Sequence, residues 1–134
     1  MFKKFFFIIF LAFVFIGSSI ADDFQISFEW GNLKLCNTGK PNVVKNPIFE
    51  LSNVPDETKW IYFKLTDLNV PSYNHGGGWV EYAGINKIES GEFTYKSPCP
   101  PGKTHKYQWT ATAKKEKSTF GGKLSSASAS RDYP

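Results

Sequence analysis

The chain lacks most of the short signatures that announce a chemistry. It has two cysteines and two histidines among 134 residues. The cysteines do not form a Cys-x-x-Cys pair, the histidines do not form a His-x-x-x-His pair, and there is no Gly-x-Ser-x-Gly. Those absences argue against a dithiol redox centre, a spaced metal motif and a nucleophile elbow. The glycine run Gly76-Gly77-Gly78 is not followed by Lys-Ser or Lys-Thr, so it is not a phosphate loop. No window carries an apolar helical repeat of ten or more residues, and after Ile16 no long apolar run occurs.

The start of the chain reads as an address. Lys3 and Lys4 precede the unbroken apolar run Phe5 to Ile16, and Ser19 and Ala21 then offer the small residues a signal peptidase requires. An uncleaved anchor is the alternative, but the run is short for a membrane span. The expectation is a signal peptide over 1–21, a mature domain over 22–134, no stable membrane span after cleavage, and a periplasmic or secreted location. Removing 21 of 134 residues leaves 113, enough for one modest core. The formal charge of +4 drops to +2 with the loss of Lys3 and Lys4. That is no nucleic-acid signal. Lys114, Lys115 and Lys117 surround Glu116 and read as a solvated charged segment.

An exported chain meets an oxidising compartment, and Cys36 with Cys99 allows a single connectivity. The bridge would close a loop of about sixty residues, worth about 4 kcal/mol by chain entropy. A catalytic thiol is disfavoured, since Cys99 sits between prolines rather than at a helix N-terminus.

The mature part is β-patterned. Phe24, Ile26, Phe28 and Trp30 alternate with polar residues, as do Ile61, Phe63 and Leu65, and again Tyr107, Trp109, Ala111 and Ala113. Pro47–Leu51 reads as a short or edge strand, Gly78–Ala83 as a strand, and Gly91–Tyr95 as a shorter one. Lys114–Thr119 allows a short helix, and Lys123–Ser130 a last strand or a loose tail. Short strands separated by Gly, Pro and Asn turns predict a mainly β sandwich with little helix.

Few residues can do chemistry. Asp67 opens Asp67-Leu68-Asn69-Val70-Pro71 and by itself reads as an Asx-turn former. Glu81 stands in an aromatic strand, where it is paired or protonated if it points inward and ordinary if it points outward. His75 precedes the glycine run, read as a flexible surface loop or one that must approach something closely. Asp67, Glu81, His75 and His105 are permissible metal ligands, but without ligand spacing no metal is assigned. Asp67, Glu81 and His105 could supply acid and base, with only water as a nucleophile.

Taken in order, four segments resemble the phosphatidylethanolamine-binding protein (PEBP, or Raf kinase inhibitor protein) family, particularly its small bacterial members. The resemblance runs from about Leu35 to Ala113. Lys45-Asn46-Pro47-Ile48-Phe49-Glu50-Leu51-Ser52-Asn53-Val54-Pro55 is similar to the family's Pro-containing segment, short strand and Val-Pro turn. Asp67-Leu68-Asn69-Val70-Pro71 stands in the place of its Asp-Pro-Asp-x-Pro motif, and Gly78-Trp79-Val80-Glu81-Tyr82 where it has a His-Trp strand. Pro98-Cys99-Pro100-Pro101-Gly102-Lys103-Thr104-His105-Lys106-Tyr107 is similar to its Cys-Pro-Pro…Gly-x-His-Arg-Tyr segment.

The resemblance implies a β-sandwich with a small pocket at one end that accepts an anion or zwitterion such as a phospholipid headgroup. It implies Asp67, His105 and Tyr107 as pocket residues, Glu81 in the place of the histidine of the His-Trp pair, and Trp79 or Tyr82 as an apolar wall. Histidine and tyrosine can donate to phosphate oxygens, and the aspartate would orient the histidine. The chain also departs from the pattern. Leu68 and Asn69 replace a proline and an aspartate, and Lys106 replaces an arginine and lacks its planar fork. A carboxylate at Glu81 would repel an anion. The expectation is a non-enzymatic binding module with no cofactor and no nucleic-acid partner. The alternative is a secreted protein-interaction module or inhibitor of a protease or other partner, with a weak hydrolase third.

Overall fold

The computed structural model describes Val14, Ile16, Gly17 and residues 22–134. The expected leader, apart from those three positions, lies outside the described residues. Within them the chain forms nine strands and no helix: β1 (Gln25–Phe28), β2 (Val43–Lys45), β3 (Phe49–Ser52), β4 (Trp60–Asp67), β5 (Gly77–Glu81), β6 (Lys87–Ile88), β7 (Thr94–Lys96), β8 (His105–Lys114) and β9 (Lys123–Tyr133). All pairings are antiparallel. One sheet has the order β1-β3-β6, a second pairs β2 with β7, and the largest has the order β5-β4-β8-β9.

The alternation in the sequence sets which face is buried. Ile61, Phe63 and Leu65 of β4, Val80 of β5, and Tyr107, Trp109, Ala111 and Ala113 of β8 all point to the core. The β1-β3-β6 sheet closes over them with Ile26, Phe28, Phe49 and Leu51. The two layers meet through aromatic contacts. Phe49 stacks on Phe63 with centroids 4.4 Å apart and meets Trp109 edge-on at 5.2 Å. Burying such rings stabilises by about 1.5–3 kcal/mol each, and their quadrupoles favour these offset and edge-on geometries. This is the predicted β-sandwich.

The short helix allowed at Lys114–Thr119 does not form. Lys114 ends β8, and residues 115–122 make the hairpin loop to β9, closed by the Lys115 N–H donating to the Gly122 carbonyl. Gly121 and Gly122 both have positive φ there, a conformation glycine adopts without steric cost. The run left open at 123–130 is a strand, because it pairs with β8 along nearly its whole length.

Two features prepare the site. Asn46 is fully buried and fully satisfied. Its amide donates to the Pro47 and Glu89 carbonyls, and its carbonyl accepts from the Gly91 and Phe93 amides. It thereby shapes the loop that delivers Phe93 and then β7. Cys36 and Cys99 form a disulfide, 63 residues apart in sequence. It anchors Ser97–Pro100, a buried segment, beneath the start of β8. A disulfide is compatible with an exported protein.

Candidate functional site

The same alternation that buries Ile61, Phe63 and Leu65 carries Asp67 onto the core face at the end of β4. Its register partner there is Tyr107 of β8. Asp67 is 4% exposed, and a carboxylate that deeply placed must be paired or hydrogen-bonded. It is both. Oδ1 accepts the backbone N–H of Asn69 at 2.8 Å and of Val70 at 3.1 Å, the Asx turn. Oδ2 accepts the Nδ1–H of His105 at 2.7 Å. Burial pushes the Asp67 carboxyl up, but the His105 hydrogen bond and the two amides outweigh it and hold its pKa below the ordinary value. Turn former and histidine partner are therefore one residue.

The turn is clipped to β8. Leu68 N–H donates to the Lys106 carbonyl, and the Asn69 side-chain carbonyl accepts the Lys106 N–H at 2.9 Å. Asn69, a departure from the aspartate of the family motif, thus has its own structural task in positioning His105.

His75 completes the cluster. It is buried, and its ring meets Tyr107 edge-on with centroids 5.5 Å apart, while His105 stacks on the same tyrosine at 6.2 Å. Its Nδ1 lies 2.8 Å from the Lys96 carbonyl, and the His75 carbonyl accepts the Lys96 N–H. Burial draws the His75 pKa below its ordinary value, against the opposing pull of the Lys96 carbonyl and Asp67. Tyr73 packs on the far side of His75 at 4.6 Å, and the Lys96 ammonium lies over the Tyr73 ring. Burial and the neighbouring Asp67 push the Tyr107 hydroxyl up, so it stays a neutral donor.

Both tautomers follow from chemistry. A carbonyl and a carboxylate only accept, so each Nδ1 carries a hydrogen. Each neutral imidazole then presents Nε2 as a lone pair, and protonation turns it into a second donor.

Of the residues expected to form a pocket, the structure brings together Asp67, His105 and Tyr107. It does not bring Glu81, Trp79 or Tyr82 to them. Glu81 pairs with Trp60 at the other end of β4, seven residues from Asp67, or about 23 Å at 3.3 Å per residue. Its exposed side chain is on the opposite face, so it neither faces the cluster nor repels an anion there. Trp79 shares that outer face, 5.0 Å from the Tyr62 ring. Tyr82 packs beside the core and donates to Asn86. His75, at the entry to β5, meets Tyr107 instead.

The glycine run that suggests a flexible loop after His75 is a packed strand start. Gly77 and Gly78 are strand residues. A Cβ on Gly77 would sit 1.8 Å from the Phe63 carbonyl oxygen, and one on Gly78 2.4 Å from the Phe93 side chain. Gly77 and Gly78 are there for close approach, while Gly76, in open space, supplies a positive φ.

A groove of about 960 Å³ lies elsewhere. Trp30, Leu33, Val43, Val44 and Ile48 line it, with no residue of the cluster. Glu29, Lys34, Lys45, Glu50 and Tyr95 line it as well.

No family model and no curated protein matches the sequence. Solved structures do match in fold. One is the crystal structure of a putative PEBP homologue, CT736, from Chlamydia trachomatis. It has a TM-score of 0.61 at 17% identity, covering 84% of this chain and 97% of that one. Another is YbcL of E. coli, described as a new member of the mammalian PEBP family, with a TM-score of 0.60 at 16% identity, covering 84% and 98%. The chain has the PEBP fold along nearly the full length of both.

Proposed function

We propose that this PEBP-fold chain is an exported, non-enzymatic binding module whose cluster of Asp67, His75, His105 and Tyr107 holds a small anion of the phosphate or phospholipid-headgroup class. The observation that carries the reading is the pair of histidines flanking Tyr107, each with Nδ1 tied to an acceptor. In this reading each Nε2, the ring nitrogen not used in those Nδ1 bonds, donates to the anion when the imidazole is protonated. Charge-assisted bonds of that kind are about twice as strong as neutral ones. The neutral Tyr107 hydroxyl directs its single O–H to Asp67, and Asp67 orients His105 and faces the cationic end of a zwitterion. Lys96 adds positive charge beside the cluster.

Binding rather than turnover fits the side chains present. The cluster has an acid–base pair but no serine, cysteine or lysine nucleophile within it. Export rests on the leader-like segment and is supported by the disulfide.

The test is titration with O-phosphoethanolamine and with inorganic phosphate, watched by imidazole NMR. Saturable shifts at both His75 and His105 are expected. No shift at millimolar ligand would sink the reading, and a response to phosphate alone would remove the headgroup part of it.

A further inference from the structure

The outer face of the β5-β4-β8-β9 sheet carries a second pocket, away from the histidine cluster. Its volume is about 260 Å³, and Tyr62, Trp79, Thr112, Lys114 and Thr119 line it. The register explains its shape. Trp79, Tyr62, Thr112 and Ser126 form one row across the four strands, all on the solvent side. The 115–122 loop brings Thr119 over that row. Tyr62 and Trp79 are tilted at 42° with centroids 5.0 Å apart, which makes an apolar shelf rather than a closed stack.

Lys114 is the unusual member. It ends β8 on the outer face, yet it is only 5% exposed. Its ammonium donates to the Ser118 carbonyl and lies 5.7 Å from the Trp79 ring centroid. Lys117 lies 4.9 Å over the neighbouring Trp60 ring. Among the described residues neither lysine forms an ion pair, although Lys87, Lys106, Lys115 and Arg131 each find a carboxylate. Glu81 is in the same cross-strand row as Lys114, but Trp60 stands between them. A buried cation met only by neutral partners is costly, and an incoming anion would remove that cost.

We infer that this pocket binds an acidic saccharide, with the ring on the Trp79–Tyr62 shelf and its carboxylate toward Lys114. Three observations choose that class. The aromatic shelf suits the flat apolar face of a pyranose, since such rings supply large contact area at fixed geometry. The buried Lys114 ammonium, met by a carbonyl and an aromatic ring but by no carboxylate, favours negative charge. The remaining lining is hydroxyl, from Thr112 and Thr119, which can donate or accept as sugar hydroxyls require. The hydroxyl surface continues past the pocket through Ser126, Thr110 and Ser128, with Thr110 and Ser128 bonded to each other at 3.2 Å. That track allows a chain of sugars rather than a single ring. The site is distinct from the headgroup cluster: it is on the other face of the sheet and shares no residue with it.

The test uses the full mature chain and galacturonic acid, its short oligomers, neutral galactose and acetate, followed by the Trp79 indole N–H signal and by tryptophan fluorescence. Galacturonate should shift Trp79 saturably, oligomers should bind tighter, and galactose or acetate should bind at least about tenfold more weakly, a difference of about 1.4 kcal/mol. Trp79→Ala and Lys114→Met should each lose binding. Should Lys114→Met not fold, Thr119→Ala and the galacturonate-to-galactose ratio carry the same information. His105→Ala should bind galacturonate as the parent does. A Trp79 signal that stays still at millimolar galacturonate overturns the inference. So does equal binding of acetate, which would mark a simple anion site, or equal binding of galactose, which would leave Lys114 without a role.

Discussion

His75 meets the ring of Tyr107 edge-on, with centroids 5.5 Å apart and planes at 88°. This contact joins the entry to β5 to the inner face of β8 and makes His75 a wall of the candidate anion site. His75→Phe keeps the ring packing but loses the Lys96 hydrogen bond and Nε2. It should cost about 1 kcal/mol of stability, the net worth of one hydrogen bond. Phosphoethanolamine affinity should fall about tenfold or more. Calorimetric titration beside a denaturant melt separates the two effects. Unchanged affinity would remove His75 from the site.

The buried histidine also makes stability depend on pH. Its folded pKa is below the ordinary 6.5, so the unfolded chain binds the proton more readily. The contribution is present above about pH 6.5 and is lost as pH falls toward the folded value. Asp67, lowered from 3.8, acts in the same direction but further down. Its contribution is present above that value and is lost as pH falls through its folded pKa. Denaturant midpoints measured from pH 8 to 3 should fall in two stages. His75→Phe should flatten the upper stage only, and an unaltered upper stage would assign it to another group.

Gly77 is a packing residue. Gly77→Ala puts a methyl group into the Phe63 carbonyl and should destabilise by about 1–3 kcal/mol, the range for overpacking. A flexible loop would tolerate the change. A thermal melt decides, and a shift close to zero would contradict the close approach.

The Cys36–Cys99 bridge closes a long loop, so reducing it or making the double change to serine should cost about 4 kcal/mol by chain entropy. Because the tethered segment lies under the start of β8, affinity for phosphoethanolamine should fall as well. Intact affinity in the reduced protein would show that the Pro-rich loop does not depend on its tether.

Much of the sandwich was legible in the chain. Ile61-x-Phe63-x-Leu65 and Tyr107-x-Trp109-x-Ala111 alternate strictly, and both strands bury the predicted face. The same period, extended by one step, places Asp67 inward, and Cys36 with Cys99 had no other partner. The missed pieces were those set by neighbours rather than by local pattern. β2 and β6 are only three and two residues long, too short to show a period. His75 was hidden by three glycines, which suggest freedom in a sequence, but here Gly77 serves contact with Phe63 and Gly78 with Phe93. Glu81 takes its expected place from motif position, and only the burial of Val80 in the folded strand shows that it and Trp79 point outward. The outer pocket needed the register of three strands and the loop at Thr119, none of which one segment reveals.

The central claim is that two tyrosine-flanking histidines hold an anion through their Nε2 atoms. The direct measurement is a long-range imidazole ¹H–¹⁵N spectrum of the mature protein at about pH 6.5, near the ordinary histidine pKa, during titration with phosphoethanolamine. The account predicts that the Nε2 signals of His75 and His105 move together and saturably toward the protonated position, while each Nδ1 keeps its hydrogen. Stationary Nε2 signals at millimolar ligand, in a chain that remains folded, would contradict it.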